Sequence, residues 1–387
     1  GTSMEYGRVP ADQISGDMTV GAGVYNFGVN SQSSVTVSME IEDTDTYLVG
    51  SSSNFNSQVF NDETAEYEDI SGDMNSGDNW YFETTTPALG IGIYTAHFDV
   101  SSDGDSGEGE FGEDNSVRRE FSITDNIYSI DGIDIYTENP AISRLGTGSF
   151  TDASDGFVMM TYYDISSGTD VAGARILLDS YAFETPLTVA GGELVVALRD
   201  TVGTAVGTTF AAENSIVASS DFYLVTQGDI DMGYIDVAFT SPYYASPNAY
   251  MLSVEMYSNG NSNDIYILDD ETVAQPGNSS MIYIPGDQAY TNGTAAGIRM
   301  LMGSSIGLDE ALSNLNVYPN PSNGIINIEI SESNNFTVTI NDILGKVIST
   351  DEINSSTTLD LQHLDKGVYF VNISNSTVTN TTKVIID

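Results

Sequence analysis

An all-β chain of three consecutive β-sandwich domains is what this sequence predicts, and three observations carry the prediction. Glycine supplies 37 residues and tyrosine 22, while lysine, a strong helix former, occurs only three times; that balance favours strands and turns over helices. Apolar and polar residues alternate in short runs, the period of a half-buried strand. No convincing helical run interrupts them. A length of 387 residues suggests two to four domains, each large enough for its own core.

Residues 1–125 read as the first sandwich, Ig-like in its strand order. Its runs are 18–28, 34–41, 92–100 and 118–123. In the third, Tyr94, Ala96, Phe98 and Val100 share one face, and Thr95, His97 and Asp99 the other. Residues 126–307 are longer and less repetitive, with strand-like runs at 173–178, 193–198, 221–225, 234–239, 250–256, 264–268 and 297–301. Many strands separated by Gly, Asn and Asp turns favour a jelly-roll-like sandwich, and no internal repeat points to a solenoid or propeller. Composition shifts near residue 308, and 304–310 reads as a linker. Beyond it, in 312–387, Ile326, Ile328 and Ile330 alternate with polar residues, as do Phe336, Val338 and Ile340. That is a third, small Ig-like sandwich.

Charge bounds the partners. Against 56 acids stand 10 bases, a net charge of −46. Lys346, Lys366 and Lys383 all lie in the last segment, and the first 307 residues hold 46 acids with seven arginines. Such a field repels nucleic-acid phosphates and anionic lipid, so no nucleic-acid partner is expected. It attracts divalent cations and suits a solvated surface in salt-rich water. With no cysteine, disulfides, thiolate nucleophiles and cysteine-based zinc sites are excluded. No apolar stretch is long enough for a membrane-spanning helix. The chain opens Gly1-Thr2-Ser3-Met4-Glu5 without a signal segment, so a processed or partial chain is expected.

Catalytic residue types are scarce. The two histidines, His97 and His363, stand mid-strand and just before Leu364 in the last segment, with no nucleophile-elbow motif and no clustered histidines for a zinc hydrolase. Carboxylate pairs are so numerous that their abundance carries no information about glycoside hydrolysis. No catalytic residue is assigned and no enzymatic activity is expected of this chain. The densest acidic run places Asp103, Asp105, Glu108, Glu110 and Asp114 on a glycine-rich segment. Alternating carboxylates there can wrap calcium, although the spacing is not that of an EF-hand; the alternative is a solvated hairpin loop. The tandem pairs Tyr162-Tyr163 and Tyr243-Tyr244 are candidate glycan-stacking residues. In a strand, the members of each pair point to opposite faces, so at most one of each is core.

Two family resemblances follow from particular residues. The tail carries Tyr318-Pro319-Asn320-Pro321 followed by Gly324, then Leu344-Gly345-Lys346, Lys366-Gly367-Val368-Tyr369 and Lys383-Val384-Ile385-Ile386. Together these resemble the type A C-terminal sorting domain of the Bacteroidetes type IX secretion system. The resemblance implies a small β-sandwich in which Tyr318, Pro319, Asn320, Pro321, Gly324, Gly345, Lys346, Gly367, Tyr369 and Lys383 belong to the sorting signal. It implies export through periplasm and outer membrane to the cell surface or the medium, with the secretion machinery as partner. The order of strands 18–28 and 92–100 is similar to CARDB-type, immunoglobulin-like adhesion modules, which implies contact with surface glycans or matrix proteins. The expectation is a secreted or surface structural or adhesion protein, or the C-terminal stalk of a larger cargo. The rival is an accessory or carbohydrate-binding part of a secreted hydrolase whose catalytic domain lies upstream.

Overall fold

The computed structural model describes residues 4–14, 16–61, 64, 66–104, 115–137, 140–151, 153–201, 216–277, 279–303, 316–329, 336–342, 346–354, 356–364, 366–374 and 379–386. The chain is nearly all β and divides into two compact units, Gly1–Ile306 and Gly307–Asp387.

The first unit contains two sandwiches. In the first, a five-stranded sheet runs in the order Arg8–Pro10, Ser116–Thr124, Gly92–Ser101, Thr36–Asp43, Leu48–Ser52. A four-stranded sheet, Met18–Tyr25, Asn79–Thr86, Asn56–Asn61, Glu66–Asp69, closes over it. The alternation read in the sequence explains the core. Tyr94, Ala96 and Phe98 are buried from one strand, and Val37, Met39 and Ile41 from its neighbour. Trp80 and Phe82 meet them from the facing sheet. Side chains of this kind, fully buried, each contribute roughly 1.5–3 kcal/mol.

The second sandwich follows the same logic at larger scale. One sheet has seven strands, built around Glu193–Asp200, Asn248–Tyr257 and Asp155–Ile165. Opposite it lie the four-stranded sheet Ile127–Tyr128, Ile298–Met302, Thr169–Leu177, Tyr234–Ala245 and a three-stranded sheet centred on Tyr266–Asp270. Phe157, Met159, Leu194, Val196, Leu252 and Val254 pack from one side against Val171, Ile176, Ile235, Val237, Ile298 and Met300 from the other.

One short helix departs from the sequence reading. Gln227–Met232 is α-helical, six residues long. Thr226 caps it: its Oγ1 accepts from the Asp229 amide at 3.3 Å, and Asp229 Oδ2 accepts from the Thr226 amide at 2.7 Å. Gly233, at φ +84°, ends it. Six residues are too few for a period to show, but the Thr-x-x-Asp spacing is a capping-box signature.

The second unit is a small sandwich. Its sheets are Asn316–Tyr318, Ile325–Glu329, Thr357–Asp360 and Val347–Ile353, Phe336–Asp342, Gly367–Ser374, Thr379–Ile386. Ile326, Ile328, Phe336, Val338, Ile340, Val371, Ile373, Val384 and Ile386 form its own core. Ile330, also expected there, lies outside the described residues.

Candidate functional site

The tail motif is a set of locks on the second unit's chain path. Tyr318-Pro319 and Asn320-Pro321 are both cis. The turn they make is fastened to the terminal strand: Asn320 Oδ1 accepts from the Ile385 amide at 2.9 Å, and the Ser322 amide donates to the Ile385 carbonyl at 2.9 Å. Gly324 sits at φ +95°, where a Cβ would lie 2.8 Å from the Gln362 backbone. Its carbonyl accepts from the Leu361 amide at 2.6 Å. Both the conformation and the close approach require glycine. Gly324→Ala is therefore expected to destabilise the second unit by about 1–3 kcal/mol. Calorimetry of the full chain should show the second unit's transition moving down while the first unit's stays in place.

The other motif residues divide by exposure. Gly367 opens its strand opposite Ile386, and Tyr369, opposite Val384, packs on the core. Tyr318, 47% exposed, and Lys346 face solvent. Lys383 lies in the terminal strand opposite Phe370, and Gly345 lies outside the described residues.

In the first sandwich an open cleft of about 720 Å³ was not anticipated from the sequence. The strand expected through Gly28 stops at Tyr25. Asn26 turns the chain there: its Oδ1 accepts from the Gly28 amide at 2.9 Å, and its Nδ2 donates to the Asn30 and Met74 carbonyls at 3.0 Å each. This is the local bonding that makes Asn a turn residue. The turn presents Tyr25 and Phe27, 47% and 86% exposed, edge to face with centroids 4.3 Å apart. Val35, Val37, Met74, Phe98 and Val100 give the cleft an apolar lining, and Asn26, Gln32, Asp99, Ser101 and Ser102 give it polar groups. Phe27 following an outward Tyr25 was the available signal, hidden by reading both as strand.

The tyrosine pairs behave differently. Tyr163 is fully buried, and its hydroxyl donates to the Ile298 carbonyl at 2.6 Å. A ring in the core cannot stack on a sugar, so Tyr163 is corrected to a core residue. Tyr162 points to the opposite face of the seven-stranded sheet, partly packed against Met160 and Met251. Tyr243 packs toward the core beside Tyr250, and Tyr244 is 61% exposed on the other sheet. Tyr162 and Tyr244 thus lie on different sheets and form no common platform.

Of the acidic run, Asp103 is described: its Oδ2 accepts from the hydroxyls of Ser33 at 3.2 Å and Ser34 at 2.7 Å. Asp105, Glu108, Glu110 and Asp114 lie outside the described residues. His97 Nε2 is 3.8 Å from Glu42 Oε2 on the solvent face of its strand.

A second cluster, also unanticipated, is buried where the two sandwiches of the first unit join. Asp131, fully buried, accepts from Arg299 Nη2 at 2.7 Å and Nε at 3.0 Å, and from Arg8 Nη1 at 3.4 Å. Asp134 Oδ2 accepts from Arg8 Nη2 at 3.0 Å and Arg299 Nη1 at 3.1 Å. The Ile133 carbonyl takes a bond from each guanidinium, and Ser129 Oγ donates to the Asp131 carboxylate. Burial alone would raise the Asp131 pKa, but Arg299 and then Arg8 and Ser129 hold it below the usual carboxylate value.

The chain has no match among curated proteins. Similarity to solved structures is slight. A β-glucuronidase from Ruminococcus gnavus in complex with uronic isofagomine shares 9% identity over 64% of this chain and 44% of its own, with a TM-score of 0.20. The CBM51-2 and INT domains of Clostridium perfringens ZmpB share 11% identity over 77% of this chain and 90% of theirs, at 0.18. Dimeric latent PorU from Porphyromonas gingivalis shares 10% identity over 99% of this chain and 32% of its own, at 0.16. The chain thus spans less than half the length of that glucuronidase. No helix among the described residues is long and apolar enough to cross a membrane. Residues 316–387 match the secretion system C-terminal sorting domain family, a tail that implies recognition by the type IX machinery and indicates export to the cell surface or the medium.

Proposed function

We propose that this cargo is a non-catalytic surface adhesion protein that binds saccharide through the cleft at Tyr25 and Phe27. The observation that carries the reading is the exposed aromatic pair over an apolar lining edged with amide, hydroxyl and carboxylate groups. Rings of this kind stack on the apolar faces of sugars, and such polar groups orient the hydroxyls. The adhesion-module resemblance of the first sandwich agrees with it. The rival, a carbohydrate-binding part of a larger hydrolase, uses the same cleft and differs in what lies upstream.

A glycan array probed with the full chain is the test, with turnover of polysaccharide, ester and peptide substrates measured in parallel. Tyr25→Ala with Phe27→Ala should lose about 2 kcal/mol or more of binding, the loss found when aromatic anchors of an interface are truncated, and no substrate should turn over. Undiminished binding by the double variant would move the site elsewhere, and turnover that vanishes with one carboxylate would make the chain an enzyme.

The acidic run is proposed to bind calcium, because alternating carboxylates supply hard oxygen ligands. Calcium should raise the melting temperature beyond sodium at matched ionic strength; binding at one hundred times Kd adds about 2.7 kcal/mol. Asp103→Asn with Asp105→Asn should erase that difference. Equal shifts from both salts would mean screening alone.

A further inference from the structure

We propose that the Arg8–Asp131–Asp134–Arg299 cluster is a mechanical clamp that closes the two ends of the first unit on one carboxylate pair. Among the described residues, Arg8 belongs to the first strand of the unit, Arg8–Pro10, and Arg299 to the last, Ile298–Met302. The two strands do not pair with each other. Arg8–Pro10 runs parallel to Ser122–Thr124 in the first sandwich, and Ile298–Met302 lies between Ile127–Tyr128 and Thr169–Leu177 in the second. The residues that connect them are those between the sandwiches. Arg8 exchanges backbone bonds with Ser129, the Gly7 amide donates to the Ile130 carbonyl, and the Met302 amide donates to the Asn126 carbonyl at 2.7 Å. Asp131 and Asp134 then take both guanidiniums.

Neighbouring contacts extend the closure along the leading segment. Glu5 and Gln275 exchange two hydrogen bonds, the Glu5 amide donating to Oε1 and Nε2 donating to the Glu5 carbonyl. Gln13 Oε1 accepts from the amides of Ser166 and Ser167 at 3.1 and 3.2 Å. Within residues 5–13, Arg8–Pro10 is a strand of the first sandwich, while Glu5, Arg8 and Gln13 are bonded to the second sandwich or to the segment between the two. Tension applied at the two ends of the first unit enters through Arg8–Pro10 at one end and Ile298–Met302 at the other. Strand bonds and the buried ion pairs are then strained together rather than one after another. The ion pairs resist because pulling them apart leaves desolvated charges unpaired.

The absence of native cysteine permits the experiment directly. Thr2→Cys and Asp387→Cys provide handles, and the full chain is stretched in an optical trap. The first unit should rupture in one high-force event, distinguished from the smaller second unit by its length gain. Arg8→Met or Arg299→Met should lower that force, because each leaves buried charge unpaired. Arg8→Lys, which keeps the charge and loses the fork, should fall between. Phe82→Ala, a truncation in the first sandwich's own core on a sheet that carries no member of the cluster, should lower equilibrium stability while leaving most of the rupture force. The proposal is overturned if the arginine variants rupture at the unmutated force, or if Phe82→Ala weakens it as much as they do.

Discussion

Asp131→Asn is expected to destabilise the first unit by about 3–5 kcal/mol, the cost of breaking a buried ion pair while its partners stay buried. The carboxylate faces two guanidiniums, each with little exposure of its own. Removing its charge leaves Arg299 nearly enclosed, with Asp134 as the remaining carboxylate beside it. Denaturant unfolding of the full chain should show a lower midpoint for the first unit with an unchanged slope. The same cluster fixes an acid limit. The folded pKa of Asp131 lies below its unfolded value, so its contribution is fully present above the unfolded carboxylate pKa of about 4. It is lost as pH falls through the depressed folded value. The unmutated protein should lose stability in that acid window, and Asp131→Asn should lose less. An identical acid slope in both proteins would assign the effect to other carboxylates. Replacing all four charged residues by apolar ones of similar volume should cost far less than the single change, because no unpaired charge then remains.

How far these features could be read from the sequence depended on whether their cause was local. Strand alternation is local, so the inward face of Tyr94, Ala96 and Phe98 and the core of Ile326, Ile328, Val338 and Ile340 were legible. The tail motif was legible because its residues are tied to turns: Gly324 needs its left-handed backbone, and Asn320 its bond to Ile385. The clamp was not, because Arg8 and Asp131 are 123 positions apart and Arg299 a further 168 from Asp131. A trace existed: Arg299 stands in the apolar run Ile298-Arg299-Met300-Leu301, where a charge requires a buried partner. The cleft was hidden for a different reason. Asn26 ends the Met18–Tyr25 strand through its own side-chain bonds, and alternation alone carries no such stop. Tyr163 shows the limit of composition. It was chosen for being a tyrosine beside another, yet burial is set by which face of Asp155–Ile165 its position occupies.

Deleting residues 312–387 is expected to remove the protein from the cell surface and the medium and to leave it folded in the periplasm. Two observations set that outcome. The deleted segment holds the whole match to the sorting-domain family. Its apolar core is also its own: Ile326, Phe336, Val371, Val384 and their neighbours form one cluster, distinct from those of the first unit. Loss of a separate core leaves the first unit's own apolar clusters intact, so the truncated chain should keep the melting transition of the first unit. Fractionation with an antibody to the first sandwich reads the location, and protease resistance of the periplasmic species reads the folding. Gly324→Ala makes a graded version of the same experiment, since it loosens the tail without deleting it. It should reduce export in step with the second unit's loss of stability. If the truncated protein reaches the surface at normal levels, residues 312–387 are not the address. If it is degraded rather than retained, the first unit depends on the tail for folding, and the two-unit division of the chain is wrong.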